Sequence, residues 1–252
     1  MQMPHRKGGM KKISPARLLF LTIALCGLMT RPILAADPQT DPAGNTAIKP
    51  APRDPGWLKR HEGFVTQAKQ GGIDVLFVGD SITDGWRNQK LWQERYVPLK
   101  AADFGISGDR TEHVLWRLQN GELDGIKPKV VVLMIGTNNT RNNSAPEIVE
   151  GITAIVKEFR TRLPESKILL LGVFPRDAQP DTPNRVKIKE INSNIAKMDD
   201  GKRVKYLDIG GKFLEPDGTM SKEVMPDFLH PNEKGYQIWA DAMEGTLMAM
   251  LK

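Results

Sequence analysis

The sequence predicts an α/β protein: a three-layer α/β/α sandwich around a five-stranded parallel sheet, with a flavodoxin-like strand order. Three observations predict it. Short apolar runs recur along the chain, each separated from the next by a stretch of helical periodicity. The runs lack the alternation of a sheet with one wet face, as residues 129–135 (KVVVLMI) show, so both faces must be covered. Parallel neighbours need crossovers, and the helical stretches supply them in the expected right-handed sense.

Residues 1–36 read as a secretory signal peptide. A basic start up to Arg17 precedes the apolar stretch 18–29 (LLFLTIALCGLM), and small Ala35 and Ala36 offer a cleavage site. The expectation is an exported protein, periplasmic or secreted. The stretch falls short of the ~20 residues of a spanning helix, and only an uncleaved leader would tie the chain to a membrane. Cys26 follows bulky Leu25, which disfavours lipidation. Residues 37–55 hold five prolines and few apolar residues, as an extended, mobile linker would. Residues 56–252 form one domain.

Within that domain the elements follow in order. Residues 57–69 place Trp57, Leu58, Phe64, Val65 and Ala68 on one helical face. The β-rich run 73–78 (IDVLFV) ends at Gly79, and 101–106 (AADFGI) is a second strand. Helix 110–120 turns Val114, Leu115 and Leu118 inward, and 129–135 is the third strand. Helix 144–163 carries a capping box in Ser144 and Glu147, with Pro146 suited to the first turn. Strand 167–173, helix 185–198, strand 203–209 and helix 232–251 complete the alternation. The last helix faces Tyr236, Trp239, Met243 and Leu247 inward.

Composition excludes several functions. The formal charge is +6, but Arg6, Lys7, Lys11, Lys12, Arg17 and Arg31 all lie in the leader. The rest balances 30 basic against 30 acidic residues, which gives no case for a nucleic-acid partner. Cys26 is the only cysteine, so the mature chain has no disulfide, zinc–thiolate site or cysteine nucleophile. Three scattered histidines make no metal cluster, and no cofactor is expected.

Chemistry in such sheets gathers at the carboxyl ends of the strands. There lie Gly79-Asp80-Ser81, then Gly105-Ile106-Ser107-Gly108, then Gly136-Thr137-Asn138-Asn139; near the C-terminus lies Asp227-Phe228-Leu229-His230. Each alone is equally a helix cap, a glycine turn, a loop or a surface pair. Together they supply a hydroxyl nucleophile, donors for an oxyanion, and an imidazole with a carboxylate three residues away. Asp80 is expected to hydrogen-bond its own turn, His113 to be structural, and His61 to lie at the surface. A G-x-S-x-G elbow is absent around Ser81, which argues against the α/β-hydrolase fold.

These four blocks resemble those of the SGNH (GDSL-type) hydrolases across roughly residues 73–251. The resemblance implies an SGNH hydrolase fold with a Ser81–His230–Asp227 triad, and an oxyanion hole from the backbone N–H groups of Ser81 and Gly108 and the side chain of Asn138. Longer stretches, 104–106 (FGI), 113–118 (HVLWRL), 120–123 (NGEL) and 127–129 (KPK), are similar to the catalytic subunits of intracellular platelet-activating-factor acetylhydrolase. That branch implies cleavage of short acyl groups, notably acetyl, and by analogy a homodimer. The sequence departs from it in its export signal. Asn139 stands where many family members carry Asp, as it does in that branch.

The expected activity is hydrolysis of short-chain, acetyl-type esters through an acyl-enzyme on Ser81, with an acetylated glycan as substrate. Ile82, Thr137 and Leu229 adjoin the reacting groups and are expected to line the acyl pocket. A lipid acylhydrolase or lysophospholipase is the alternative, and a non-catalytic binding module on the same scaffold the other.

Overall fold

The computed structural model describes residues 44–252. The expected leader and the first part of the linker lie outside the described residues. The elements are α1 (Pro55–Gln70), β1 (Val75–Gly79), α2 (Ser81–Asp84), β2 (Ala101–Gly105), α3 (Thr111–Arg117), β3 (Val130–Met134), α4 (Ala145–Arg162), β4 (Lys167–Leu171), α5 (Pro183–Ile195), β5 (Val204–Leu207) and α6 (Glu233–Leu251). Short 3-10 and π turns fill several connections.

The five strands are hydrogen-bonded in the order β2-β1-β3-β4-β5, every neighbour parallel. This is the flavodoxin-like order expected, and it reverses between β1 and β3, where a crevice opens at the carboxyl edge. Strand pleating sends alternate side chains to opposite layers. Leu76, Val78, Val131, Leu133, Ile168 and Leu170 pack with the apolar sides of α1, α3, α4 and α5. Val75, Phe77, Val130, Val132, Leu169 and Leu171 pack with α6 and the segment between α2 and β2. The second layer is aromatic: Phe77, Trp86, Trp92, Tyr96, Tyr236 and Trp239 meet with ring centroids 4.6–6.5 Å apart. Such contacts bury large areas and favour tilted or edge-on geometry.

Helix boundaries follow from local chemistry. Ser144 and Glu147 form the expected capping box at α4, and Asn232 caps α6 by accepting from Gly235 N–H. The α-helical bonding of α3 gives way to a π turn over Leu118–Glu122, and helical geometry breaks at Asn120 and Gly121, Gly121 at φ +108°, near the end expected at residue 120.

The expectation of an extended, mobile linker through residue 55 fails for its second half. Residues 44–54 are docked on the domain. Asn45 donates to Glu147 O and Glu150 Oε2, fully buried Ala47 accepts from Thr111 Oγ1 through its carbonyl, and Asp54 caps α1 by accepting from Trp57 N–H. A 3-10 turn over Thr46–Ile48 packs at the starts of α3 and α4, and the extended chain around Pro50 and Pro52 follows it, with Ala51 N–H donating to Glu112 O at 3.3 Å.

Candidate active site

Gly79 ends β1 at the reversal of strand order. A Cβ there would overlap the side chain of Thr83 and the carbonyl of Met134, so only glycine fits. Asp80 follows, fully buried, and its Oδ1 accepts from Ile82 N–H at 3.0 Å, which starts the single turn of α2. Burial pushes the Asp80 carboxyl up to about 7; the Ile82 N–H opposes this, Asp109 adds to it, and His230 and Arg176 oppose it. Its other oxygen has no partner among the described residues.

Ser81 then turns outward, half-buried, and its hydroxyl lies 2.8 Å from His230 Nε2. His230 Nδ1 lies 2.6 Å from Asp227 Oδ2. An ionised carboxylate only accepts, so Nδ1 carries the proton and Nε2 is left to accept from the Ser81 hydroxyl. The Asp227 Oδ1 atom accepts from His230 N–H at 2.8 Å and Leu229 N–H at 3.1 Å, so one carboxylate holds both the turn and the ring. Phe228, at φ +58°, makes the reversal that lets residues 227 and 230 meet. Burial acts to raise the Asp227 carboxyl, but the hydrogen bonds from the His230 ring and the local backbone outweigh it and hold it below the ordinary range.

Two further loops approach the same edge. Gly108 sits after β2 at φ +82°, exposed, and its N–H makes no hydrogen bond among the described residues. Asn138 sits after β3, beyond Gly136 at φ +125°, and its Nδ2 donates to Asp109 O at 2.9 Å. Asn139 turns the other way and is fully buried. It accepts from Thr111 N–H and donates toward Glu112 Oε2 and Asn143 Oδ1, tying the β3 loop to the start of α3.

The three residues expected to line an acyl pocket are not placed alike. Ile82 and Thr137 are each 1% exposed. Ile82 packs into the aromatic layer with its carbonyl accepting from Tyr236 Oη–H at 2.7 Å, and Thr137 accepts from Arg176 Nη1. The turn that points Ser81 out points its neighbour in. Only Leu229, half-buried, reaches the surface. A cavity of about 500 Å³ lies elsewhere, lined by residues such as Val173, Ile188, Tyr206 and Leu214, and includes none of Ser81, Asp227 or His230.

His61 corrects an expectation: it is buried, not at the surface. Its Nδ1 lies 2.9 Å from Glu122 Oε1, with the Trp57 and Trp116 rings against it, because it lies on the side of α1 that docks. His113 is buried and accepts from Arg110 N–H. Burial first, then the charges of Arg110, Arg53 and Arg117, push it down to about 3, so it stays neutral as a structural group.

Sequence reasoning missed the ionic group behind these loops. Fully buried Arg117 donates to Asp109 Oδ2 at 2.9 Å and to Glu122 Oε2 at 2.5 Å, and Asp109 Oδ1 also accepts from Trp57 Nε1 and Arg53 Nη1. A signal existed. Arg117 is three residues beyond Val114 and beside Leu118, so a charge sits on the inward stripe of its helix.

A hydroxyl at a strand end, bonded to an imidazole that a carboxylate orients, is the constellation of a serine hydrolase. Here it stands on a flavodoxin-like sheet rather than an α/β-hydrolase sheet. Comparison gives the family. The model of the GDSL-like lipase/acylhydrolase family matches residues 77–238. The chain is 42% identical over 200 residues to platelet-activating factor acetylhydrolase IB subunit alpha2 of Rattus norvegicus, covering 79% of this chain and 86% of that subunit. It is 38% identical over 213 residues to subunit alpha1 of Homo sapiens, covering 82% and 91%. Similar solved structures include a GDSL-like lipase from Bacteroides thetaiotaomicron (TM-score 0.62, 18% identity, 75% of this chain and 97% of that one). An acetylxylan esterase from Geobacillus stearothermophilus is also similar (TM-score 0.56, 19% identity, 72% and 94%). The chain belongs to the GDSL-like lipase/acylhydrolase family and is a carboxylic ester hydrolase.

Proposed function

We propose that the protein hydrolyses short-chain esters, acetyl esters foremost, through an acyl-enzyme on Ser81. The observation that carries this is the relay of 2.8 Å from Ser81 Oγ to His230 Nε2 and 2.6 Å from His230 Nδ1 to Asp227 Oδ2. Ser81 attacks the ester carbonyl as His230 takes the hydroxyl proton. Asp227 stabilises the imidazolium that results. The backbone N–H groups of Ser81 and Gly108 and the amide of Asn138 receive the developing oxyanion, a role worth ~10²–10³ in turnover per donor. Collapse releases the alcohol with the proton from His230. Water then attacks the acyl carbon as His230 takes its proton; the bond to Ser81 Oγ breaks, His230 returns the proton to Oγ, and the acid leaves.

Acetyl preference is supported by the relatives named acetylhydrolases and by Leu229, half-buried at the surface next to His230, which restricts the room for a long chain. An acetylated glycan as the natural substrate, met after export, is supported by the leader-like residues 1–36 and by the balanced charge of the remainder. A lipid ester is the second reading, favoured by the substrate named in those relatives.

The test is hydrolysis of p-nitrophenyl esters from C2 to C10 by the wild type and Ser81→Ala. Turnover should be greatest at C2 and fall by at least about 10³-fold in the variant. A maximum at C8 or beyond would overturn the acetyl preference, and an unchanged Ser81→Ala would remove Ser81 from the mechanism. N-terminal sequencing of protein from the native host tests export, with cleavage expected near Ala36.

A further inference from the structure

The docked segment before α1 ends on the loop that carries Gly108. Arg53 Nη1 donates to Ser107 O at 2.8 Å and to Asp109 Oδ1 at 3.1 Å, so one guanidinium holds the residues on both sides of Gly108. Its Nη2 and Nη1 stand 3.2 and 3.3 Å from where a Gly108 Cβ would lie. The plane of the guanidinium therefore lies against the glycine itself. Asp109 carries the hold onward, because its carbonyl accepts from Asn138 Nδ2 at 2.9 Å. The two loops that approach Ser81 from β2 and β3 are thus joined through residue 109, and Arg53 is the outermost member of that chain of contacts.

We infer that Arg53 is a positioning residue for the oxyanion site: it sets the Gly108 N–H and, through Asp109, the Asn138 amide toward one point. This rests on the reading that Gly108 and Asn138 receive the oxyanion. Gly108 is exposed and at positive φ, in a loop with two glycines in four residues, and such a loop is free to wander without an external hold. Preorganisation of the donors is what gives an oxyanion site its effect, since donors that must be recruited during reaction contribute less. The guanidinium suits this task, as the two hydrogens of Nη1, fixed in its plane, reach Ser107 O and Asp109 Oδ1 at once. The Asp109 carboxylate is held independently by Arg117 and Trp57, so loss of Arg53 leaves the buried side in place and the Ser107 side held only through its hydroxyl, which donates to Asp84 Oδ2 at 2.9 Å, with the Ser107 carbonyl released.

The experiment compares wild type, Arg53→Ala and Arg53→Lys on p-nitrophenyl acetate, together with the rate of Ser81 phosphonylation by a fluorophosphonate probe and the melting temperature. The phosphonyl oxygen occupies the position of the oxyanion, so labelling reports on the donors directly. Arg53→Ala should lower kcat about tenfold, part of the ~10²–10³ for losing a whole donor, with KM within about twofold. Phosphonylation should slow by a similar factor, and the pH at which activity falls on the acid side should not move. Arg53→Lys, able to reach Ser107 O alone, should recover a substantial part of both rates. Wild-type kcat and labelling in Arg53→Ala, whatever its melting temperature, would overturn the positioning role, as would a rise in KM alone, while the Ser81 mechanism would stand. A wild-type protein that neither hydrolyses the ester nor labels would overturn the Ser81 mechanism and this inference with it.

Discussion

Replacing Arg117 by Met should destabilise the protein by about 3–5 kcal/mol, the cost of leaving a buried ion pair with one partner missing. The structure explains why the loss should reach that range. Arg117, Asp109 and Glu122 all have side chains fully withdrawn from solvent, and the guanidinium meets both carboxylates at 2.9 and 2.5 Å. Methionine fills a similar length but leaves two carboxylates in the interior without their shared cation. Stability should also become more sensitive to pH. Burial already raises the Asp109 carboxyl, and Arg117 is the largest influence opposing that rise. Without it, the folded-state pKa climbs further above the unfolded value of ~3.9. A group raised in the folded state favours folding at low pH, and that contribution is lost as pH rises from the unfolded value through the folded one. Urea denaturation at pH 5 and pH 8 should therefore show a smaller loss at pH 5. Adding Glu122→Met should restore part of the stability, because it removes a buried carboxylate whose remaining side-chain partner is His61 Nδ1. A loss below about 1 kcal/mol at pH 8, or a double variant less stable than the single, would refute this account.

Asp227→Asn should lower kcat by about 10⁴-fold with little change in KM, because an amide does not hold the Nδ1–H tautomer; p-nitrophenyl acetate kinetics measure it, and a loss under tenfold would count against an orienting role. Asp80→Asn should flatten the dependence of stability on pH. The wild-type carboxyl is raised to about 7 by burial, so it weakens the fold as pH rises from ~3.9 to about 7, and the amide retains the acceptor for Ile82 N–H. Parallel stability profiles for the two proteins between pH 5 and 8 would refute it. Gly79→Ala should cost about 2 kcal/mol or more by thermal or urea unfolding, since the added methyl meets the rigid carbonyl of Met134; a neutral result would mean that β1 and β3 part easily.

What was legible in the sequence was what depends on neighbours along the chain. Runs such as VLFVG and VVVLM declare buried strands by composition, and the α4 capping box is complete within four residues. Asp227 and His230 are close enough in sequence for one turn to join them. The rest depends on partners far away. The proline-rich composition of 37–55 reads as linker, and nothing local reveals that Asn45 meets Glu150, 105 residues on, or that Arg53 meets Asp109, 56 residues on. His61 has the same character: its burial is set by Trp116 and by Glu122, 61 residues further along the chain. Ile82 shows a subtler limit. Adjacency to a nucleophile says nothing of direction, and the tight turn after Gly79 sends successive side chains to opposite sides.

The nucleophile and its base are 149 residues apart, and the base stands on an exposed turn, with Asp227 more than half accessible. An ion pair so exposed contributes little to holding a loop, so the short Ser81–His230 distance must be maintained by other contacts. Two are in place. The carbonyl of Phe228 accepts from Asp177 N–H at 2.9 Å, which holds the turn to the loop after β4. Six residues beyond the imidazole, Tyr236 donates to the carbonyl of Ile82, next to the nucleophile. Tyr236 is itself buried against Trp86 and Trp239, and Gly85 provides the space its hydroxyl needs. The aromatic layer therefore links α2 to α6 beneath the reacting atoms. Core packing and backbone hydrogen bonds thus hold the turn to the body of the domain, while the Asp227 carboxylate shapes the turn itself through Oδ1 and fixes the tautomer of the ring through Oδ2.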